Sequence, residues 1–124
     1  MPENFNTIFT QLKTAIAKYN PPLVAKKENE KEYHLYSIKD VEYMERQFHE
    51  IYFAATVIKK NFVGFYFFPL YTHPQYFAGL PPELKKTLKG KTCFNIKKMD
   101  AILLTQVQEL LKKGFDLYKK EKFI

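Results

Sequence analysis

The stretch "IYFAATVIKKNFVGFYFFPLY", Ile51 to Tyr71, decides the fold. It holds two runs of β-branched and aromatic residues, Ile51 to Ile58 and Phe62 to Leu70, joined by Lys59-Lys60-Asn61. Asparagine tolerates the left-handed conformation that tight hairpins use, so the stretch predicts two paired antiparallel strands. Both faces of the second run are apolar, with Phe62, Tyr66 and Phe68 on one side and Val63, Phe65 and Phe67 on the other. A strand of that kind belongs in the middle of a sheet, shaded on both faces. Gly64 leaves a gap in the first row that a neighbouring aromatic ring can fill.

Working outward, "LVAKKENEKEYHLYSI" predicts two more strands, Leu23 to Lys27 and Tyr33 to Ile38, around a charged turn. The segment "KDVEYMERQFHE" reads as a helical turn begun by Asp40 or as a loop. Phe5, Ile8, Phe9, Leu12, Ile16 and Tyr19 fall at helical spacing, so an amphipathic helix is expected over 4–19, stopped by Asn20-Pro21-Pro22. Downstream, "THPQYFAGLPPELKKTLKG" reads as a connection with short helical turns, Pro82 at a first helical position and Gly90 at a helix end. "CFNIKK" alternates as a short strand. Asp100 then caps a last helix with a core stripe of Leu103, Leu104, Val107, Leu110, Leu111 and Tyr118, in which Gly114 either ends the first part or allows close packing.

These elements predict one α+β domain over 1–124. It is a two-layer sandwich, with an antiparallel sheet of about five strands and the N- and C-terminal helices packed on one face. The other face is then partly aromatic and partly wet, the natural place for a pocket. Length and composition agree: 124 residues, 46% hydrophobic and 27% charged, with 12 Phe, 9 Tyr and no Trp. A single Cys rules out an internal disulfide. The start lacks the basic and apolar pattern of a leader, and no apolar run approaches the roughly 20 residues of a spanning helix. A soluble cytoplasmic protein, monomer or dimer, is expected. The net charge of +7 resides entirely in residues 85–124, since nine Lys/Arg and nine Asp/Glu cancel over 1–84. Such an end attracts anions.

The candidate chemistry centres on "LKGKTCFNIKK", Leu88 to Lys98. Gly90-Lys91-Thr92 matches the end of a phosphate loop, but Lys85 stands where the first glycine belongs, and the flanks run helix-then-strand instead of strand-then-helix. Cys93 as a nucleophile needs a base among His34, His49 and His73, and no local signature joins them; a small buried hydrophobe is the simpler reading. The histidines lack metal-ligand spacing. Carboxylates at Glu28, Glu30 and Glu32 begin an acidic cluster that could meet a hard cation such as ferrous iron, although lysines lie among them. Lysines beside Tyr71, His73, Tyr76 and Phe77 would suit a nucleic-acid strand, but the chain has one Arg only, which argues against that partner.

Over 51–124, "YFAATVIKKNFVGFYFFPLY", "PPELKKTLKGKTCFNIKKMD" and "KKGFDLYKKEKFI" resemble, in order, the YdhG-like family, a domain of unknown function found mainly in bacteria. The resemblance is fainter over 22–38. It implies an α+β fold similar to frataxin and a role as an intracellular iron chaperone, described for one branch of the family. It places no iron ligand on a numbered residue.

The reading that follows is a non-enzymatic binding module for a small anionic ligand or a protein partner, with no cofactor of its own. Its candidate site residues are Tyr66, Tyr71, His73, Lys91, Thr92 and Lys97. The alternative is iron delivery through Glu28, Glu30 and Glu32, and a further alternative is a cysteine-dependent enzyme built on Cys93.

Overall fold

A computed structural model describes residues 5–20, 22–37, 40–43, 46–49, 51–77, 79–90 and 92–124. Helix α1 (Phe5–Ala17) is followed by strands β1 (Val24–Glu28), β2 (Glu32–Tyr36), β3 (Asp40–Tyr43), β4 (Arg46–His49), β5 (Tyr52–Ile58) and β6 (Val63–Phe67). A short helix α2 (Pro69–Thr72), a 3-10 turn (Pro74–Phe77) and a second short helix α3 (Pro82–Lys85) lead to β7 (Leu88–Lys89), β8 (Cys93–Ile96) and the long helix α4 (Ala101–Lys120). The main sheet has six antiparallel strands in the order β1-β2-β5-β6-β8-β7, one more than the five expected. The fold class is α+β, with α1 and α4 on one face of that sheet.

The sixth strand comes from Leu88 and Lys89, which the sequence pattern assigned to a helical connection. Thr87 closes α3, its amide and hydroxyl both donating to the Leu84 carbonyl, and its own carbonyl accepts the Asn95 amide. Gly90, expected at a helix end, instead turns the chain between β7 and β8 with a φ of 81°. That conformation suits a residue without a Cβ. The segment around Asp40, read as a helical turn or loop, forms a two-stranded sheet of its own, β3 against β4. Valine, tyrosine and phenylalanine alternating with polar residues fit a pleated ribbon better than a helical stripe.

As predicted, β6 is central, between β5 and β8. Its Val63, Phe65 and Phe67 point to the helices and are fully buried, joined there by Leu12 and Ile16 of α1 and Val107 and Leu111 of α4. On the opposite face the Tyr66 ring folds back over Gly64, where a Cβ would stand 2.9 Å from its Cε2 atom. The predicted gap in that row is thus filled by Tyr66 itself. Asp100 caps α4, its carboxylate accepting the Leu103 amide at 2.8 Å. The helix runs unbroken through Gly114, and of the predicted stripe only Leu104 is left half-buried. At its far end Lys122 takes a left-handed φ of 63°. The Phe123 amide then reaches the Tyr118 carbonyl and the Lys122 amide the Lys119 carbonyl, a complete Schellman closure. The Phe123 and Tyr118 rings pack on each other at 5.0 Å, which supplies the apolar contact such closures carry.

Two irregularities set which side chains face which way. In β1 the register shifts at Lys26, and in β5 Phe53 is an extra residue between Tyr52, opposite Tyr36, and Ala54, opposite Leu35. Phe53 therefore joins Ala54 on the helix side while Tyr52 faces out. No helix among the described residues is long and apolar enough to cross a membrane.

Gly114 packs directly on the sheet layer. A Cβ there would lie 2.8 Å from Cε1 of the Phe67 ring and closer still to its Cζ. Gly114→Ala is expected to cost about 1–3 kcal/mol through overpacking, even after the gain in helix propensity. Gly79→Ala, where an added Cβ meets nothing within 4 Å, is the control. Denaturant midpoints that fall equally for both would show that the layers have room to separate.

Candidate functional site

The outer face of the sheet, turned away from α1 and α4, carries the polar chemistry. Cross-strand pairing lays one row across it: Lys27, His34, Ala55, Tyr66, Cys93 and Lys89. The next row toward one end holds Glu32, Val57, Gly64 and Asn95, and toward the other end Tyr36 pairs with Tyr52. Lysines stand at both edges of the central row.

A hydrogen-bond chain ties the rows together. The Tyr52 hydroxyl lies 3.0 Å from His34 Nδ1, and His34 Nε2 lies 3.0 Å from Glu32 Oε1. With neutral imidazole the order that satisfies every group is Tyr52 O–H to Nδ1 and Nε2–H to the carboxylate. Glu32 also takes a 3.0 Å ion pair from Lys27. Hydrogen bonds from Lys27 and then His34 hold its carboxyl below the ordinary carboxylate range. Burial, with the neighbouring Tyr36 and Tyr66 adding to it, pushes the Tyr52 phenol far above the ordinary tyrosine value, so it stays a neutral donor.

Rings continue the same surface. Tyr36 stacks on Tyr52 at 4.7 Å and 22°, Tyr52 meets Phe68 at 5.8 Å, and Phe68 meets Tyr71 at 5.3 Å. The strip ends at Tyr71, which is 45% exposed. Beside it, Cys93 Sγ lies 3.2 Å from Asn95 Oδ1, and Tyr66 is hydrogen-bonded to the thiol. Burial raises the Cys93 thiol above its ordinary value, more than the Tyr66 hydroxyl and the charge of Lys59 lower it. Tyr66 is raised too, first by burial and then by Cys93. These groups are neutral near pH 7.

The predicted site residues separate into three groups. Tyr66 and Tyr71 share the outer face through Tyr52 and Phe68. Thr92 immediately precedes β8, its carbonyl accepting the amide of the inward-facing Phe67 at 2.9 Å and its side chain half-buried, so it does not join them. Lys97 is exposed just past the far end of β8, five residues and roughly 16 Å from Thr92 along the strand. His73 is not on this surface. It is buried at the rim against Phe123, with Nδ1 2.8 Å from Thr72 Oγ1 and Nε2 3.1 Å from Glu121 Oε1. Lys91 lies outside the described residues.

The metal candidates also diverge. Glu28, paired with Tyr33, is on the helix side and bridges to Lys13 at 2.8 Å, whereas Glu32 faces out; Glu30 is exposed in the turn between them. Among the described residues no three His, Cys, Asp or Glu side chains converge as a metal site. Sequence reasoning set Phe68 on the Tyr66 side of its strand but did not single out Tyr36 and Tyr52 as surface rings. The alternation of His34 and Tyr36 in "EYHLY" is the one signal that could have pointed to them. Comparisons with protein-family models, with curated proteins and with solved structures found no match to this chain.

Two outcomes test this electrostatic picture. Alkylation of Cys93 by iodoacetamide is expected to have its pH midpoint above the roughly 8.5 of a free thiol. Tyr66→Phe, which removes a donor to the thiolate, should move the midpoint higher; a midpoint near 7 would overturn the assignment. The depressed Glu32 carboxyl contributes stability that is present above its unfolded pKa, about 4.3, and is lost as pH falls through the lower folded value. The melting-temperature gap between the wild type and Glu32→Gln should therefore be open at pH 6 and close below about pH 4. A gap that does not change with pH would separate Glu32 from acid stability.

Proposed function

We propose that this chain is a YdhG-like, non-enzymatic binding module of the cytoplasm that holds a small anionic ligand with a flat apolar body against the outer face of the sheet. The observation that carries this reading is the strip Tyr36, Tyr52, Phe68 and Tyr71, a run of ring faces and edges at one end of a face rimmed by Lys27 and Lys89. Rings of this kind offer stacking area at little conformational cost, and the lysines supply attraction without a fixed fork geometry. Tyr66 forms the floor beside the strip and Tyr71 the open edge. Lys97 adds positive charge past the far end of β8, while His73 braces the rim from behind.

Burial that keeps Tyr52, Tyr66 and Cys93 neutral supports binding over catalysis, because a nucleophile or base needs the opposite shift. The protein-segment partner and the iron role gain no comparable support from the geometry.

The test uses naphthalene-2-sulfonate as the probe, titrated at fixed ionic strength and followed by tyrosine fluorescence. Saturable binding is expected, with Tyr66→Ala and Tyr71→Ala each weakening it about fivefold, the worth of roughly 1 kcal/mol per ring contact. Circular dichroism checks that both variants remain folded. Unchanged affinity in two folded variants, or equal binding of uncharged naphthalene, would overturn the reading.

A further inference from the structure

The helix side of the molecule carries a second concavity, independent of the outer sheet face. Where α1 and α4 lie side by side they leave a groove of about 790 Å³ open to solvent. That volume is within the range of sites that hold small molecules. Ala15, Tyr19 and Leu104 line it with apolar surface, while Lys18 and Lys112 set two positive charges against the single carboxylate of Glu109. Ala15 contributes only a methyl group, and Leu104 is the stripe residue of α4 that the core leaves half-buried.

Tyr19 gives the groove its chemistry. Its ring is wedged between Phe115 at 4.6 Å and Phe53 at 6.0 Å, and the residue is 7% exposed. Its hydroxyl makes no hydrogen bond to another described residue and opens to solvent, so it is free to meet a bound group. Burial raises this phenol, against the lowering effect of Lys112, so at neutral pH it is a hydrogen-bond donor. The Lys18 ammonium sits 6.0 Å above the same ring and has no carboxylate partner among the described residues. Lys112 is held nearby by Asp116 at 2.9 Å. One end of the groove therefore combines a fixed unpaired donor, an ammonium and an adjoining apolar stripe.

We infer that this groove binds an aliphatic carboxylate, its head group accepting from the Tyr19 hydroxyl beside Lys18 and its chain lying along Ala15 and Leu104. The carboxylate supplies the acceptor that Tyr19 lacks and the negative charge that Lys18 lacks. The alkyl chain covers surface that the helices do not cover for each other. A neutral alcohol of the same length fills the groove but offers no charge to Lys18.

The experiment is a titration of the ¹⁵N-labelled full chain with sodium octanoate at pH 7, below its micelle concentration and at constant ionic strength. Saturable amide shifts are expected in residues 10–19 and 104–112. Tyr19→Phe keeps the ring packing and removes only the donor, and it should weaken binding about fivefold; Lys18→Gln should do the same, and 1-octanol should bind at least fivefold more weakly than octanoate. Absence of shifts at millimolar octanoate overturns the inference, as does equal affinity in Tyr19→Phe or equal binding of 1-octanol. Shifts centred on Tyr36 and Tyr66 instead would move octanoate to the sheet face and overturn the groove as its site. The naphthalene-2-sulfonate titration reads different residues, so either site can fail without the other.

Discussion

Phe67 is the residue on which the two layers turn. Its ring occupies the space that any side chain at position 114 would need, and it meets Phe53, Phe65 and Phe77 at centroid separations between 5.4 and 6.2 Å. At that point α4 lies against the Phe67 ring with no room for a Cβ, which fixes one point of its seat over the sheet. The rest of the α4 stripe, Val107, Leu110, Leu111 and Tyr118, then falls onto the core without further adjustment. Tyr118 adds a polar tie from the same helix, its hydroxyl donating to the Tyr52 carbonyl at 2.6 Å. The Ser37 hydroxyl donates to the Phe123 carbonyl and joins the end of the helix back to the sheet.

That packing leaves the two sheet faces with different physics. The inner face is hydrocarbon at its centre except for the buried hydroxyl of Thr56, opposite Phe65. The outer face is polar but largely self-satisfied: Glu32, His34 and Tyr52 pair with one another, as do Tyr66, Cys93 and Asn95. Burial disfavours the charged form, which is why Tyr52, Tyr66 and Cys93 shift upward together, whereas Glu32, held by Lys27 and His34, shifts down.

How much of this could be read in advance follows from the range of the interactions involved. The hairpin at 51–71, the two terminal helices and the Asp100 cap were legible because each depends on neighbours within a few positions. β7 was not, since two residues carry no period and Leu88–Lys89 becomes a strand only through pairing with β8. The site was legible in part. Tyr66 keeps the outward side its strand pattern gave it, and Tyr71 follows from the turn after Phe68, whereas Thr92 falls opposite the inward-facing Phe67. His73 was misplaced because its two partners decide its direction, and Glu121 lies 48 positions away. The groove at Tyr19 depends on how far two helices stand apart, a quantity set by the sheet beneath them and absent from either helix alone.

The extra residue in β5 has a consequence for how the chain can change in length. Ala54 to Ile58 are phased by β6, but Tyr52 is phased by Tyr36 across the irregularity at Phe53. Loss of that one position would leave Tyr52 opposite Tyr36 and Ala54 opposite Leu35 in ordinary alternation, so the outer rings would stay, while the core would lose the ring that meets Tyr19, Phe67 and Tyr118. Loss of a single codon there would empty part of the core while sparing the outer surface and the pairing of β5 with β6. The irregularity is how one strand adds a ring to the inside without giving one up on the outside.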